Sequence, residues 1–210
     1  MEILNTRSRH IHGRNPSGRQ CPRQIPASRR MVGLAPAAVL WMLLGAGFAR
    51  GQTGATGEYQ LKAAFLFNFA KFIDWPESSF ASPHSDFAIC ILGADPFGRA
   101  MDELLQDKMV ANRRVSVERY RQVTEARHCQ VIFVSASEKP RVHEILEGLR
   151  GTNTLAVGET DGFAAAGGAI QFAIEDNRVR FLINTTAADR AGLRVSSKLL
   201  SLARVVHDGD

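Results

Sequence analysis

The sequence predicts an α/β domain built on a mixed, largely parallel sheet with crossover helices. Three short apolar runs have the composition of strands that are buried on both faces, at residues 87–92, 131–134 and 154–157. Helical segments separate these runs, and this alternation is typical of a parallel sheet. Two further strands near the C-terminus are expected to form an antiparallel hairpin, which a closing helix follows.

The first fifty residues are expected to lie outside this domain. Residues 1–30 are rich in Arg, Pro, Ser and His, and residues 31–49 carry no charge. A basic region, an apolar stretch and small residues before Arg50 are typical of a secretory signal peptide. An uncleaved membrane anchor is the alternative, although Pro36 favours cleavage. The expected organisation is an extension with a signal peptide over residues 1–50 and a single domain over residues 51–210, exported to the periplasm.

The leader also accounts for the basic character of the chain. Of the 26 Lys and Arg residues and the 21 Asp and Glu residues, seven and one respectively lie in residues 1–49. The remainder therefore carries 19 basic and 20 acidic residues, and it is close to neutral. A nearly neutral domain does not attract the phosphates of nucleic acids, so no nucleic-acid partner is expected.

The chain has three cysteines, Cys21, Cys90 and Cys129. Since Cys21 lies in the leader, an exported domain keeps one pair, and an oxidising compartment favours a Cys90–Cys129 disulfide. Two buried free thiols are the alternative. Neither cysteine has a second Cys or His at metal-ligand spacing beyond its neighbour His128, so no metal site and no cofactor are predicted.

The domain opens with a segment, residues 58–76, that is apolar over about 200° of a helical circumference. A single buried stripe needs about half of that arc. Either the helix is covered on several sides by its own domain, or it also packs on a second chain; the lack of a catalytic set favours the second explanation. We assign Leu61, Phe65, Phe69 and Phe72 to the core, and Leu66, Phe67, Ala70 and Ile73 to a dimer or partner contact. The helix is expected to end at Trp75, because Pro76 follows it.

The remaining elements follow from local signals. Asp95 and Pro96 are typical of a helix start, and Gly151 is typical of a helix end. The turn-rich link at residues 175–177 predicts the hairpin. Helices are predicted over residues 97–109, 139–150 and 187–206, and further strands over residues 115–120, 169–174 and 178–183.

No catalytic constellation is visible, and the domain is predicted not to be an enzyme. The loop at residues 93–98 is interpreted as a capped helix start rather than as a phosphate site. Glu159 and Asp161 are interpreted as solvated turn residues rather than as an acid/base pair. Arg178 and Arg180 point outward from a strand, either as ordinary exposed charge or as a ligand or partner face.

Two groups of residues also point to a family. The first lies in the opening helix: Tyr59, Lys62, Ala63, Phe65, Asn68, Phe69, Lys71, Phe72, Trp75 and Pro76. The second lies in the C-terminal half: Gly162, Phe163, Gly167, Gly168, Ile170, Phe172, Arg178, Val179, Arg180, Phe181, Ile183, Asn184, Ala187, Ala188, Ala191, Gly192, Leu193, Ser196, Ser197, Lys198, Leu199, Leu200, Leu202 and Ala203. Together they resemble the YfiR-like family of periplasmic regulatory proteins over residues 58–206.

This resemblance implies a small exported domain, commonly dimeric, that binds the periplasmic part of an inner-membrane diguanylate cyclase and represses it. Loss of such a protein would affect cyclic-di-GMP signalling and biofilm. Cys90 and Cys129 match one disulfide of the family, and the chain has no cysteines for a second. Because other relatives occur beside sensor kinases, the alternative is a periplasmic solute-binding sensor subunit of a histidine kinase system.

Overall fold

A computed structural model describes residues 53–207, with side chains from Gly57 onward. The proposed signal peptide and Cys21 lie outside the described residues. The helices are α1 Thr53–Lys71, α2 Arg99–Leu105, α3 Val142–Gly148, α4 Thr185–Arg190 and α5 Ser197–Leu200, with short 3₁₀ helices at Glu77–Ser79 and Ala136–Arg141. The strands are β1 Ile73–Asp74, β2 Phe87–Leu92, β3 Met109–Val110, β4 Arg113–Tyr120, β5 Val131–Val134, β6 Leu155–Gly158, β7 Ile170–Glu175, β8 Arg178–Asn184, β9 Arg194–Val195 and β10 Arg204–Val206. No helix within residues 53–207 is both long and apolar enough to cross a membrane.

The main sheet of the described residues has eight strands in the order β10-β8-β7-β6-β5-β2-β4-β3. The five strands from β4 to β7 in this order are parallel. The hairpin strands β7 and β8 are antiparallel, β10 runs parallel to β8, and β3 runs antiparallel to β4. The predicted mixed, largely parallel sheet with a C-terminal hairpin is therefore confirmed.

The three central strands β2, β5 and β6 are buried along their whole length, as their composition predicted. Alternate residues of β2 face opposite sides of the sheet. Phe87, Ile89 and Ile91 join the core beneath α1 and α2, whereas Cys90 and its neighbours join a second core beneath α3. Both faces of the sheet are thus covered, which explains why these strands are continuously apolar.

The hairpin depends on a two-residue turn. Asp176 and Asn177 both have positive φ, at 50° and 58°. This left-handed pair is the geometry of a type I′ turn, which matches the twist of the two strands it joins, and Asn and Asp tolerate it better than most residues. The turn therefore sets the register in which Glu175 pairs with Arg178.

The assignment of the faces of α1 was wrong for four of its eight residues, whereas Phe69 lies in the core and Phe65 and Phe72 pack against it, as expected. Leu66, Ala70 and Ile73, expected at a partner contact, are 0%, 0% and 4% exposed and pack in the core of their own chain. Leu61, expected in the core, is 46% exposed. The sheet and the C-terminal segment cover the helix on several sides, so most of its wide apolar arc is internal. Phe67 is half-buried and packs at the margin of the core.

The end of α1 also differs from expectation. The helix stops at Lys71, before Trp75, because Ile73 and Asp74 form β1 and pair with β9. The carbonyl oxygen of Phe72 accepts a hydrogen bond from the backbone N–H of Ser196 at 3.0 Å. Pairing with a distant segment therefore ends the helix earlier than the local proline signal does.

The predicted closing helix at residues 187–206 does not form. Asn184 caps α4 by accepting a hydrogen bond from the N–H of Ala187, and Gly192, at φ 71°, follows its end. The chain then forms β9, a four-residue helix and the edge strand β10. Backbone pairing with β1 and β8 replaces helical hydrogen bonds that the local pattern favoured.

The other two predicted helices are shorter than expected. The Oδ1 atom of Asp95 accepts hydrogen bonds from the N–H groups of Phe97 and Gly98, as a capping residue does, but α2 begins only at Arg99. Its end at Leu105 leaves residues 109–110 to form β3. The expected helix at residues 139–150 is divided into a 3₁₀ helix that contains Pro140 and the helix α3.

Candidate functional site

The predicted disulfide between Cys90 and Cys129 is confirmed. The two Cα atoms lie 6.1 Å apart, within the usual range for a disulfide. Cys90 lies on the central strand β2, and Cys129 ends the turn that leads into β5. Both side chains are buried in the core beneath α3, so the bond ties two neighbouring strands together inside the domain.

A polar cluster borders this disulfide. Glu118 on β4 lies directly opposite Cys90 across the strand pair. Its Oε2 atom accepts a hydrogen bond from the Tyr120 hydroxyl at 2.6 Å and lies 3.0 Å from Nε2 of His128. Nδ1 of His128 lies 3.0 Å from the carbonyl oxygen of Glu125. The imidazole is therefore held at both nitrogens.

These contacts set the ionisation of the cluster. Burial opposes the charged form of Glu118, but hydrogen bonds from Tyr120 and His128 outweigh it and lower the pKa of this carboxyl below its ordinary value. The same carboxylate raises the pKa of Tyr120 to about 12. The sequence showed only that His128 and Cys129 are neighbours. The alternation of β4 places Ser116, Glu118 and Tyr120 on one face, but the sequence does not show that this face meets the cysteines.

Arg178 and Arg180 lie in an open groove between the start of α1 and the hairpin, which we call the hairpin groove. Its lining is Gly57, Glu58, Leu61, Ile174, Asn177, Arg178, Val179 and Arg180. Leu61 and Ile174 are 46% and 52% exposed. Among residues 57–207, neither Arg178 nor Arg180 has an ion-pair partner.

The hairpin groove lies along a free edge of the sheet. The edge strand β10 pairs only with residues 182–184 of β8. In the described part of the chain, no strand covers the first half of β8 on that side. The groove therefore combines exposed apolar side chains with unpaired strand backbone, and Arg178 and Arg180 are among its lining residues.

A buried ion cluster holds the start of α1 against the sheet. Nζ of Lys62 lies 2.7 Å from Oε2 of Glu159, which follows β6, and 2.6 Å from Oε1 of Glu58. The Glu159 side chain is 6% exposed, and its Oε1 atom accepts a hydrogen bond from the N–H of Ala136. Its interpretation as a solvated turn residue was therefore wrong, whereas Asp161 is exposed as expected.

We interpret the ion cluster as a structural contact. Its two buried charged groups, Lys62 and Glu159, compensate each other. Burial opposes the charged form of Lys62, but hydrogen bonds to Glu159 and Glu58 outweigh it and raise the pKa of this amine. Lys62 also lies 4.5 Å above the ring of Tyr59. One turn further along α1, the ring of Phe65 lies 5.4 Å from that of Phe181 and 6.2 Å from that of Phe172. These contacts position Leu61 next to the hairpin.

The chain is similar to one family model and to several solved structures. A family model described as YfiR/HmsC-like matches residues 59–204. No curated protein matches the chain. A conserved domain protein from Vibrio cholerae O1 biovar eltor is 10% identical with a TM-score of 0.48, over 70% of this chain and 59% of that chain. An ABC domain in complex with L-Trp from Streptococcus pneumonia is 10% identical with a TM-score of 0.49, over 71% of this chain and 60% of that chain. The chain thus spans less than two thirds of the length of these two structures.

Proposed function

Because the chain belongs to the YfiR/HmsC-like family, we propose that it represses an inner-membrane diguanylate cyclase by direct contact in the periplasm. Membership supports a periplasmic regulator of cyclic-di-GMP signalling in general, and a regulatory rather than a catalytic role. The Cys90–Cys129 disulfide agrees with an oxidising compartment. The specific partner and the repression are our proposal.

The hairpin groove is the observation that supports contact with a protein. Leu61, Ile174 and Val179 offer apolar surface, and Arg178 and Arg180 lie on the same groove. Arg is enriched at protein interfaces because its planar guanidinium binds carboxylates through two parallel hydrogen bonds. The groove therefore fits a partner segment whose apolar side chains are flanked by Asp or Glu.

The contacts beneath the groove favour tight binding. The ion pair between Lys62 and Glu159 fixes the first half of α1 to the sheet, and the packing of Phe65 on the hairpin fixes the opposite wall. A surface that is already ordered loses less conformational entropy when it binds. We therefore place the partner contact on this groove instead of on the buried face of α1.

Of the four side chains expected at a dimer or partner contact, Phe67 alone remains accessible. It is half-buried, and Nζ of Lys71 lies 5.4 Å from its ring. Homodimer formation stays a prediction, with Phe67 as its remaining candidate residue. Sedimentation of wild type and Phe67→Ala at several concentrations measures it, and an unchanged monomer in both cases contradicts it.

Gene deletion tests the function itself. In a strain that contains the cyclase, loss of this protein is expected to raise cellular cyclic-di-GMP and biofilm, and the wild-type gene is expected to restore both. Unchanged cyclic-di-GMP after deletion contradicts repression of a cyclase.

Complementation tests the groove. Arg178→Glu with Arg180→Glu places acidic groups where a partner carboxylate is expected, so this double variant should fail to restore repression. Arg114→Glu with Arg121→Glu makes the same charge change near the other edge of the sheet. Arg114 lies on β4 and Arg121 follows it, and both residues are exposed. This control is expected to restore repression. Equal repression by both double variants contradicts the groove as the contact.

A cleft on the other face favours a second candidate function, a solute-binding sensor subunit of a histidine kinase system. The cleft, about 340 Å³, lies between α3, β6 and α4, with Arg150 and Arg190 among its lining residues. This volume is at the lower end for small-molecule sites. A thermal-shift screen of small solutes tests this function. A ligand whose effect disappears when Ala156, a buried residue of the lining, is replaced by Leu supports it, and no stabilising solute contradicts it.

A further inference from the structure

Four metal-ligating side chains from three parts of the chain meet at the disulfide. They are Cys90 on β2, Glu118 on β4, and His128 and Cys129 before β5, and one ligand atom from each lies within 4.8 Å of all the others. Tetrahedral Zn²⁺ sites hold sulfur ligands at about 2.3 Å and nitrogen or oxygen ligands at about 2.0–2.2 Å, so their ligand atoms are about 3.3–3.8 Å apart. The observed distances of 3.0 Å from Nε2 of His128 to Glu118 and 3.9 Å to Sγ of Cys129 bracket this range.

We propose that reduction of the Cys90–Cys129 disulfide creates a Zn²⁺ site made of these two cysteines, His128 and Glu118. The disulfide and the metal ion are then alternative occupants of one site. Two soft thiolates with one imidazole and one carboxylate form a ligand set that suits Zn²⁺. Cys90 and Cys129 are near enough to share an ion, since their Cα atoms are 6.1 Å apart.

The surroundings of His128 have the arrangement of a metal ligand. Nδ1 contacts the carbonyl oxygen of Glu125, which only accepts hydrogen bonds, so a metal-bound imidazole would keep its proton on Nδ1 and bind the ion through Nε2, which gives up its hydrogen bond to Glu118. Metal-binding histidines commonly donate their second nitrogen to a carbonyl or carboxylate in this way. The hydroxyl of Tyr120 similarly holds the Glu118 carboxylate in place.

The site also has access to solvent. Glu118, His128 and Cys129 line an open cleft that continues to the surface near Ser79 and Asp86. His128 is exposed, whereas both cysteines are buried. A hydrated ion therefore reaches the imidazole and the carboxylate first, and the two thiolates complete its coordination.

An external dithiol is the reductant that opens the Cys90–Cys129 disulfide. The dithiol transfers two electrons and two protons to the disulfide, which becomes two thiols, while the reductant becomes a disulfide itself. Zn²⁺ then replaces the two thiol protons and any proton shared between His128 and Glu118, and these protons are released to solvent. In the reverse direction an external disulfide accepts two electrons from the two thiolates and becomes a dithiol, the Cys90–Cys129 bond forms again, and the ion returns to solution.

The test uses the purified protein with Cys21→Ser, so that only Cys90 and Cys129 supply thiols. After reduction and anaerobic removal of the reductant, titration with Zn²⁺ against a chromophoric chelator is expected to show one tightly bound ion per chain. The disulfide form is expected to bind at least about tenfold more weakly. With Co²⁺ as the probe, the reduced protein is expected to show the absorption of a tetrahedral ion with thiolate ligands.

Variants that keep both cysteines identify the other ligands. His128→Ala and Glu118→Gln are each expected to weaken binding at least about tenfold, and His143→Ala, an exposed histidine on α3, is the matched control that should not. Equal binding by His128→Ala and the control, or equal binding by reduced and oxidised protein, overturns the proposal. If reduction unfolds the chain, recovery of its circular dichroism on addition of Zn²⁺ supports the site, and no recovery overturns it.

Discussion

Removal of the disulfide measures how much the covalent link contributes to the fold. The change is Cys90→Ala together with Cys129→Ala, because alanine leaves no unsatisfied hydroxyl in a site where both side chains are buried. The bond closes a loop with a sequence separation of 39 residues. The loop-entropy relation for a loop of this length gives about 4 kcal/mol at 25 °C. Against a total stability of about 5–15 kcal/mol, this is a large fraction.

The assay is thermal and urea unfolding, followed by circular dichroism in the presence of a metal chelator. For a domain of this size each kcal/mol corresponds to about 2–4 °C, so the melting temperature is expected to fall by about 8–16 °C. Reduced wild-type protein is expected to show a similar loss, which provides the control. A loss below about 1 kcal/mol in both forms refutes the argument that closure of this loop stabilises the domain.

Three further substitutions test the packing of α1 and the charged contacts. Leu66→Asp places a carboxylate at a side chain that is 0% exposed, so it is expected to abolish the circular dichroism spectrum of the folded protein. Leu61→Asp changes an exposed side chain and should leave the spectrum unchanged. Identical spectra for the two variants contradict the buried position of Leu66 and the exposed position of Leu61. Lys62→Met leaves the buried carboxylate of Glu159 without its ion pair, so urea unfolding is expected to show a loss of about 3–5 kcal/mol, and Lys62→Met with Glu159→Gln should recover part of it. No recovery contradicts an uncompensated charge as the cause. Hydrogen bonds from Arg119 lower the pKa of Asp102, so its contribution is present above the ordinary carboxyl pKa and is lost as the pH falls through the folded value. Urea unfolding at neutral and acidic pH should therefore show a smaller acid loss for Asp102→Asn than for wild type, and equal losses contradict this contribution.

The sheet was predictable because its central strands carry their own signal. A strand that is buried on both faces must be apolar at every position, and β2, β5 and β6 have this composition without interruption. The hairpin was predictable for a similar local reason, since Asp176 and Asn177 accept the positive φ of its turn. The disulfide followed from the small number of cysteines available to pair.

Two parts of the fold were not predictable because distant backbone competes with local preference. Residues 187–206 have a helical pattern, yet β9 and β10 pair with strands from elsewhere in the chain. The wide apolar arc of α1 did not show which of its sides meets the sheet. The position of the hairpin against the helix decides which side is buried. Leu66 is buried as a result, and Leu61 is exposed.

The sequence by itself determined the fold class, the disulfide partners and the family of this protein, because each depends on composition, spacing or a linear pattern of residues. Only the tertiary structure decided which charges are buried and which side chains meet. Lys62 and Glu159 are 97 residues apart in the chain, and Glu118 faces Cys90 only because of the register of two parallel strands. The hairpin groove and the four-ligand cluster arise in the same way, since chain segments that carry no shared local signal come together when the apolar strands are buried.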